Sequence, residues 1–120
     1  MNTREKGKEQ EQLAAEYLEA NGMKVVAQNF RCRQGEIDIV GYHNGYLVFV
    51  EVKYRKNTRK GSALEAVDSR KQHQICKVAD YYRYIHKIPV RTGIRYDVVA
   101  IQGNGIEWLQ NAFPHIYVRG

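Results

Sequence analysis

Residues 35–53 read GEIDIVGYHNGYLVFVEVK, and this stretch decides the fold of the chain. Two runs rich in β-branched and aromatic residues flank the pair Asn44-Gly45. An Asn-Gly pair between such runs favours the type I′ turn of a two-residue β-hairpin, because both central residues of that turn need positive φ. A hairpin centred on this pair brings together residues whose numbers sum to about 89. The stretch therefore predicts two adjacent antiparallel strands with a defined register.

Charged residues lie in the middle of these otherwise apolar strands. Because strand side chains alternate between faces, Glu36 and Asp38 share one face, and so do Glu51 and Lys53. By the hairpin register, Asp38 lies opposite Glu51 and Glu36 lies opposite Lys53. Facing carboxylates repel each other unless a cation compensates, and hard carboxylate oxygens suit Mg²⁺ or Mn²⁺. The stretch thus predicts a metal site that can activate water, while an ordinary exposed ion pair between Glu51 and Lys53 is the alternative.

The rest of the chain predicts one α/β domain over residues 1–120, with residues 1–8 frayed. Apolar spacing, capping residues and turn signals give the order α-β-β-β-α-β-β, so we expect a single mixed β-sheet flanked by helices. Asp68 is the predicted N-cap of the second helix. The predicted elements are a helix from Glu9 that stops at Asn21-Gly22, strands over 23–33, 36–40 and 46–54, a helix from Asp68 that ends before Pro89, and strands over 94–101 and 106–109.

Composition excludes several classes of protein. With 43% hydrophobic and 27% charged residues, the chain has the make-up of a globular domain and not of a disordered one. The longest apolar stretch, Leu47 to Val50, is far too short to span a bilayer, and no export signal opens the chain. Cys32 and Cys76 have no CxxC spacing, so we expect two reduced thiols in a cytoplasmic protein without a membrane partner.

Basic residues cluster directly after the second predicted strand of the hairpin. The chain carries a formal net charge of +6, and clustered Lys and Arg residues favour a nucleic acid because they neutralise phosphates. A solvated basic loop is the alternative interpretation. The candidate phosphate-binding residues are Arg55, Lys56, Arg59 and Lys60.

The central motifs resemble the D-x(n)-E-x-K core of the PD-(D/E)xK nuclease superfamily. More closely, the chain resembles the YraN-like family of small bacterial proteins over about residues 9–113. The segments that carry the resemblance include Glu11, Gly35-Glu36-Ile37-Asp38, Phe49-Val50-Glu51-Val52-Lys53, Glu65-Ala66-Val67, Lys71-Gln72, Tyr96-Asp97-Val98-Val99-Ala100 and Asn111-Ala112-Phe113.

This resemblance implies a fold and a set of site residues. The fold is the restriction-endonuclease-like αβββαβ core, similar to that of archaeal Holliday-junction resolvases. In those relatives a first-helix glutamate joins the metal site, and it corresponds to Glu11 here. Some members of the superfamily carry a polar helix residue near the catalytic lysine, which corresponds to Gln72. The implied metal ligands are Asp38, Glu51 and Glu11, with Lys53 and Glu36 completing the catalytic group. Resolvase-like relatives pair as dimers, so a homodimer is also implied.

Three functions remain open from the sequence. The first is a Mg²⁺-dependent nuclease that hydrolyses phosphodiester bonds of DNA, including branched or flapped DNA. The second is a non-catalytic nucleic-acid-binding module with the same fold. The third is a small interaction protein that presents Tyr81 and Tyr84 to a partner. Intact carboxylates beside a phosphate-binding loop favour the first, because they would weaken nucleic-acid binding without a metal.

Overall fold

The computed structural model of this protein describes residues 3–55, 67–103 and 105–117. These residues form helices and strands in the predicted order, α-β-β-β-α-β-β. The elements are α1 (Thr3–Ala20), β1 (Lys24–Cys32), β2 (Gly35–His43), β3 (Tyr46–Arg55), α2 (Ser69–Ile85), β4 (Ile94–Gln102) and β5 (Gly105–Phe113).

The strands form one mixed sheet in the spatial order β1-β2-β3-β4-β5. Neighbouring strands are antiparallel except β3 and β4, which run parallel. A parallel pair needs a long crossover, and α2 lies in that connection. The predicted α/β fold, a single mixed sheet flanked by helices with αβββαβ order, is therefore confirmed.

The β2–β3 hairpin forms with the predicted turn and register. Asn44 and Gly45 have φ angles of 51° and 83°, as a type I′ turn requires. The ladder pairs His43 with Tyr46 and continues to Ile39 with Val50, so that each pair sums to 89 as predicted. The turn chemistry of two residues thus sets which side chains of the two strands meet.

Each face of the sheet is covered by one helix. On β3, Val48 and Val50 pack in the cluster that contains Ala14, Ala15 and Leu18 of α1. The alternate residues of the same strand face the other way and pack in the cluster formed with α2. That second cluster includes Leu47, Phe49, Ile75, Cys76, Val78 and Ala79. Because both faces are buried, the hairpin strands have nearly continuous apolar runs instead of clean alternation.

The tyrosines of α2 divide between core and surface. Tyr82 is buried and contacts Phe30 and Phe49 edge to face. Tyr81 and Tyr84 are 41% and 80% exposed. Packing therefore explains Tyr82. No described helix is both long and apolar enough to cross a membrane.

The observed elements differ from the predicted ones at both ends of the chain. Helix α1 begins at Thr3 instead of Glu9, so residues 3–8 are helical. Within α1, Leu13 is 45% exposed, whereas Ala14, Ala15 and Leu18 are buried. Strand β5 extends to Phe113, four residues beyond the predicted end.

A buried polar network explains why β5 is longer than its apolar pattern predicts. The Asp97 carboxylate accepts two hydrogen bonds from Arg95 at 2.8 and 2.9 Å and one from Trp108 Nε1 at 2.8 Å. It also accepts the backbone N–H of Asn111 at 2.9 Å, where β5 bulges away from β4. Arg95 in turn lies 2.9 Å from His43 Nδ1. Asp97 therefore holds an irregular part of β5 that apolar alternation does not predict.

Candidate active site

The candidate site lies where β2 and β3 separate. The hairpin ladder ends at the pair Ile39 and Val50, and the next hydrogen bond runs instead from Val52 N–H to the Asp38 carboxylate, at 2.7 Å. Beyond this point β3 stays paired with β4 as far as Arg55. A cleft of about 270 Å³ opens at the separation, and residues of α1, β2, β3 and α2 line it. Side chains from both faces of the sheet thus reach one cleft.

Three carboxylates converge at this point. Oxygen atoms of Glu11, Glu36 and Asp38 all lie within 4.8 Å of one another. Glu11 comes from α1, and the side chain of Asn29 hydrogen-bonds to it. Asn29 lies opposite Asp38 in the β1–β2 register and has a φ of 55°. The irregular conformation of β1 at this residue therefore brings a neutral partner to the carboxylate cluster.

Glu51 is the buried carboxylate of the site. It is 5% exposed, and its Oε2 atom lies 3.6 Å from Lys53 Nζ and 3.5 Å from Lys71 Nζ. Lys53 extends from β3 and Lys71 from the first turn of α2. Because two ammonium groups share one carboxylate, a net positive charge remains beside the cleft, and a phosphate could bind there.

Two carboxyl groups of the site, Asp38 and Glu11, have raised pKa values, mainly because they are buried. Burial, followed by the adjacent charge of Glu51 and a hydrogen bond with it, raises the pKa of Asp38 to about 9, although the Val52 N–H acts in the opposite direction. Burial is also the main cause that raises the pKa of Glu11, with the charges of Glu36 and Glu51 adding to it. The cleft therefore favours neutral carboxyls until a cation compensates their charge.

This electrostatic arrangement predicts how stability depends on pH in EDTA. A carboxyl whose pKa is raised on folding binds more protons in the folded than in the unfolded chain. Stability then falls as pH rises from about 4 to about 9, by at most about 1.4 kcal/mol per pH unit for one proton. We expect Asp38→Asn to flatten this dependence, measured by urea unfolding at pH 5, 6, 7 and 8. If the free energy of unfolding of the variant depends on pH as steeply as that of the wild type, Asp38 is not the source of this dependence.

The structure brings most of the sequence-predicted residues together, with two differences. The ladder stops at Ile39 and Val50, so neither predicted cross-strand pair, Asp38 with Glu51 or Glu36 with Lys53, forms in it. Glu36 instead joins Glu11 and Asp38 and lies 3.3 Å from Arg31 Nε. Gln72 lies on α2, but its Nε2 donates to the Val67 carbonyl at 3.0 Å. Of the phosphate-binding candidates, Arg55 ends β3, and the others lie outside the described residues: Lys56, Arg59 and Lys60.

Sequence reasoning missed three residues of the site. Lys71, next to Gln72, contacts Glu51 from the first turn of α2. A basic residue in the first turn opposes the helix dipole, and this unfavourable placement indicates another role. Asn29 has positive φ inside a strand, which asparagine tolerates better than most residues. Gln10 lines the cleft, and its Oε1 is buried without a hydrogen-bond partner among the described residues. Only the Lys71 signal is visible in the sequence.

Comparisons with known proteins agree on the family. A UPF0102 protein of Lachnoclostridium phytofermentans is 47% identical over 113 residues, which cover 94% of this chain and 96% of the relative. A UPF0102 protein of Legionella pneumophila is 45% identical over 113 residues, covering 92% of this chain and 96% of the relative. These relatives therefore match nearly end to end.

A solved structure and a family model were also matched. The crystal structure of a repair endonuclease from Pyrococcus abyssi has a TM-score of 0.42 and 22% identity, over 70% of this chain and 32% of that longer one. The model of the uncharacterised protein family UPF0102 matches residues 10–101, which include the carboxylates of β2 and β3. The chain belongs to the UPF0102 family, the YraN-like family that its central motifs indicate.

Proposed function

We propose that this protein is a nuclease that uses Mg²⁺ or Mn²⁺ to hydrolyse the phosphodiester bonds of DNA. One observation carries the proposal: carboxylates from α1, β2 and β3 converge where two lysines also meet. These residues are Glu11, Glu36, Asp38, Glu51, Lys53 and Lys71. Clustered acids weaken a fold without a counter-charge, and a nuclease metal site requires this kind of cluster.

The donor atoms at the cleft fit a hard divalent cation. Carboxylate oxygens that lie within 4.8 Å of one another can share one ion at oxygen–metal distances of about 2.0–2.6 Å. The buried Oε1 of Gln10 offers a further neutral oxygen. All-oxygen donor sets suit Mg²⁺ or Mn²⁺ better than zinc. We assign Asp38, Glu51 and Glu11 as metal ligands. Glu51 lies outside the cluster of Glu11, Glu36 and Asp38 but is linked to Asp38 by a hydrogen bond, and Glu36 extends or tunes the set.

The lysines supply the remaining catalytic groups. When bound, the cation polarises the phosphate and makes an attacking water more acidic. Lys53, beside Glu51, would orient that water and stabilise the hydroxide through its ammonium group. Lys71 places a second ammonium at the same carboxylate and neutralises charge that develops on the phosphate. Gln72 has a supporting role in this proposal, because its bond to Val67 fixes the first turn of α2 from which Lys71 extends.

The substrate in this proposal is DNA, with branched or flapped forms as the first candidates. Free thiols at Cys32 and Cys76 suit the reducing cytoplasm, where DNA is found in bacteria. A homodimer would place two sites on one branched substrate, and sedimentation equilibrium tests for it. The residues that hold the flanking phosphates include Arg55, Lys56, Arg59 and Lys60.

The test is an incubation of the purified protein with labelled single-stranded, duplex, flap and four-way-junction DNA. Each substrate is run with Mg²⁺, with Mn²⁺ and with EDTA. Products that form with a metal and not with EDTA support the nuclease and rank its substrates. Shifted bands that survive EDTA, without products under any condition, favour the non-catalytic binding module instead.

A further inference from the structure

Helix α2 carries an exposed basic stripe outside the carboxylate site. Arg70, His73 and Lys77 lie three and four residues apart, which places them on one side of the helix, and all three are exposed. Together with Gln74 and with Gln34 of the β1–β2 turn, they line a cleft of about 580 Å³. We call this cleft the α2 groove.

The α2 groove is continuous with the candidate active site. A second cleft of about 280 Å³ shares Arg70 and Gln74 with the α2 groove. The same cleft shares Lys53 and Lys71 with the carboxylate site. Because the three clefts share lining side chains along α2, a single extended ligand can contact the α2 groove and the carboxylate site together.

The floor of the α2 groove is fixed by close packing at the β1–β2 turn. Gln74 Nε2 donates to the Gln34 carbonyl at 3.1 Å and thereby ties α2 to that turn. Gly35, at a φ of +148°, permits this approach, because a Cβ atom at this position would lie 2.8 Å from the Gln74 amide. The groove is therefore held between a helix and a sheet and is more than a row of flexible surface charges.

The basic residues of this surface are not explained by any stabilising effect on the helix. Basic residues in the first turn oppose the helix dipole, and α2 has no acidic residue there. Among the described residues of the two clefts along α2, the acidic one is Asp68, whose carboxylate already accepts the Lys71 N–H as N-cap. The positive helix terminus and the basic stripe thus reinforce each other, as phosphate recognition requires.

We propose that the α2 groove binds the sugar–phosphate backbone of the DNA strand that leads into the carboxylate site. This inference rests on the proposed function and specifies a binding surface for its substrate. From Arg70 to Lys77 the helix rises about 10 Å, a length over which one strand of a duplex presents about three phosphates. Arg70 and Lys77 hold phosphates, and the Gln74 amide donates a hydrogen bond between them.

The test compares two double variants that remove the same charge. Arg70→Ala/Lys77→Ala acts in the groove, and Lys24→Ala/Arg91→Ala acts on exposed residues at the opposite end of the sheet. DNA-duplex affinity is measured in EDTA at several salt concentrations. We expect the groove variant to bind about tenfold more weakly and the magnitude of its salt slope to fall by about 2, while the control stays near wild type. Equal losses in both variants, or no loss in either, would overturn the proposal.

Further readouts separate this inference from the proposed function. DNA cleavage by the wild type, together with unchanged DNA binding by the groove variant, would overturn the groove and leave the nuclease standing. If the wild-type protein cleaves no DNA but the groove variant still binds DNA more weakly, the result upholds the groove and rejects the nuclease. An RNA duplex of the same sequence distinguishes the nucleic acids, and tighter RNA binding would overturn the assignment to DNA. Arg70→Lys/Lys77→Arg, which keeps both charges, should restore affinity.

Discussion

The Asp38→Asn variant is expected to cleave DNA about a hundred- to a thousandfold more slowly than the wild type while staying folded. Asparagine has the same shape as aspartate, and its side-chain oxygen still accepts the Val52 N–H that ends the hairpin ladder. The variant loses the negative charge that the proposed cation needs. Rates are measured on the best substrate of the DNA panel at saturating Mg²⁺ and Mn²⁺.

A matched control separates the loss of a ligand from the loss of any acid. Glu107→Gln removes an exposed carboxylate of β5 and should leave cleavage unchanged. Lys53→Ala should lose activity to a similar extent. Wild-type cleavage by Asp38→Asn would show that the carboxylate cluster is not the catalytic site.

The second large effect concerns stability and lies away from the cleft. Asp97→Ala is expected to lower the free energy of unfolding by about 3–5 kcal/mol, because it leaves the buried Arg95 guanidinium without its carboxylate. Asp97 is 1% exposed, and the substitution also frees the N–H groups of Trp108 and Asn111. Urea unfolding at pH 7 measures the change.

Two further variants test this network. Asp97→Asn keeps an oxygen acceptor for Trp108 or Asn111 but loses the charge, so its loss should be smaller than that of the alanine variant. Glu107→Gln on the adjacent strand should change stability by less than about 0.5 kcal/mol. A loss below about 1 kcal/mol in Asp97→Ala would mean that the network is replaceable, and β5 would then be held by its apolar contacts.

Local chemistry made the framework of the fold predictable. The positive φ values of Asn44 and Gly45 set the hairpin, and its register followed from them. Asp68 caps α2 through the Lys71 N–H, as its residue type and position predicted. Each of these features depends on residues that are close in sequence, so the pattern contained what was needed.

The remaining features depend on contacts between distant residues. The separation of β2 from β3 follows from a carboxylate at Asp38 that replaces a ladder hydrogen bond to Val52, and alternation cannot show it. The extra length of β5 follows from Asp97, which is 14 residues before Asn111. The contact of Lys71 with Glu51 needs the crossover that returns α2 over the sheet. The acids and one lysine of the candidate site could therefore be predicted from the sequence, but the contacts between them could not.

The hydrogen bond between Asp38 and Val52 also bears on which substitutions this family can accept during evolution. The same carboxylate has to accept the Val52 N–H, where the hairpin ladder ends, and to serve as the proposed metal ligand. Glutamate is one methylene longer and cannot hold the backbone and the ion from the same position. At Glu11 and Glu36 no described backbone group depends on the side chain, so aspartate or a neutral acceptor can arise there at lower cost. Position 38 should therefore vary least among the acids of the site.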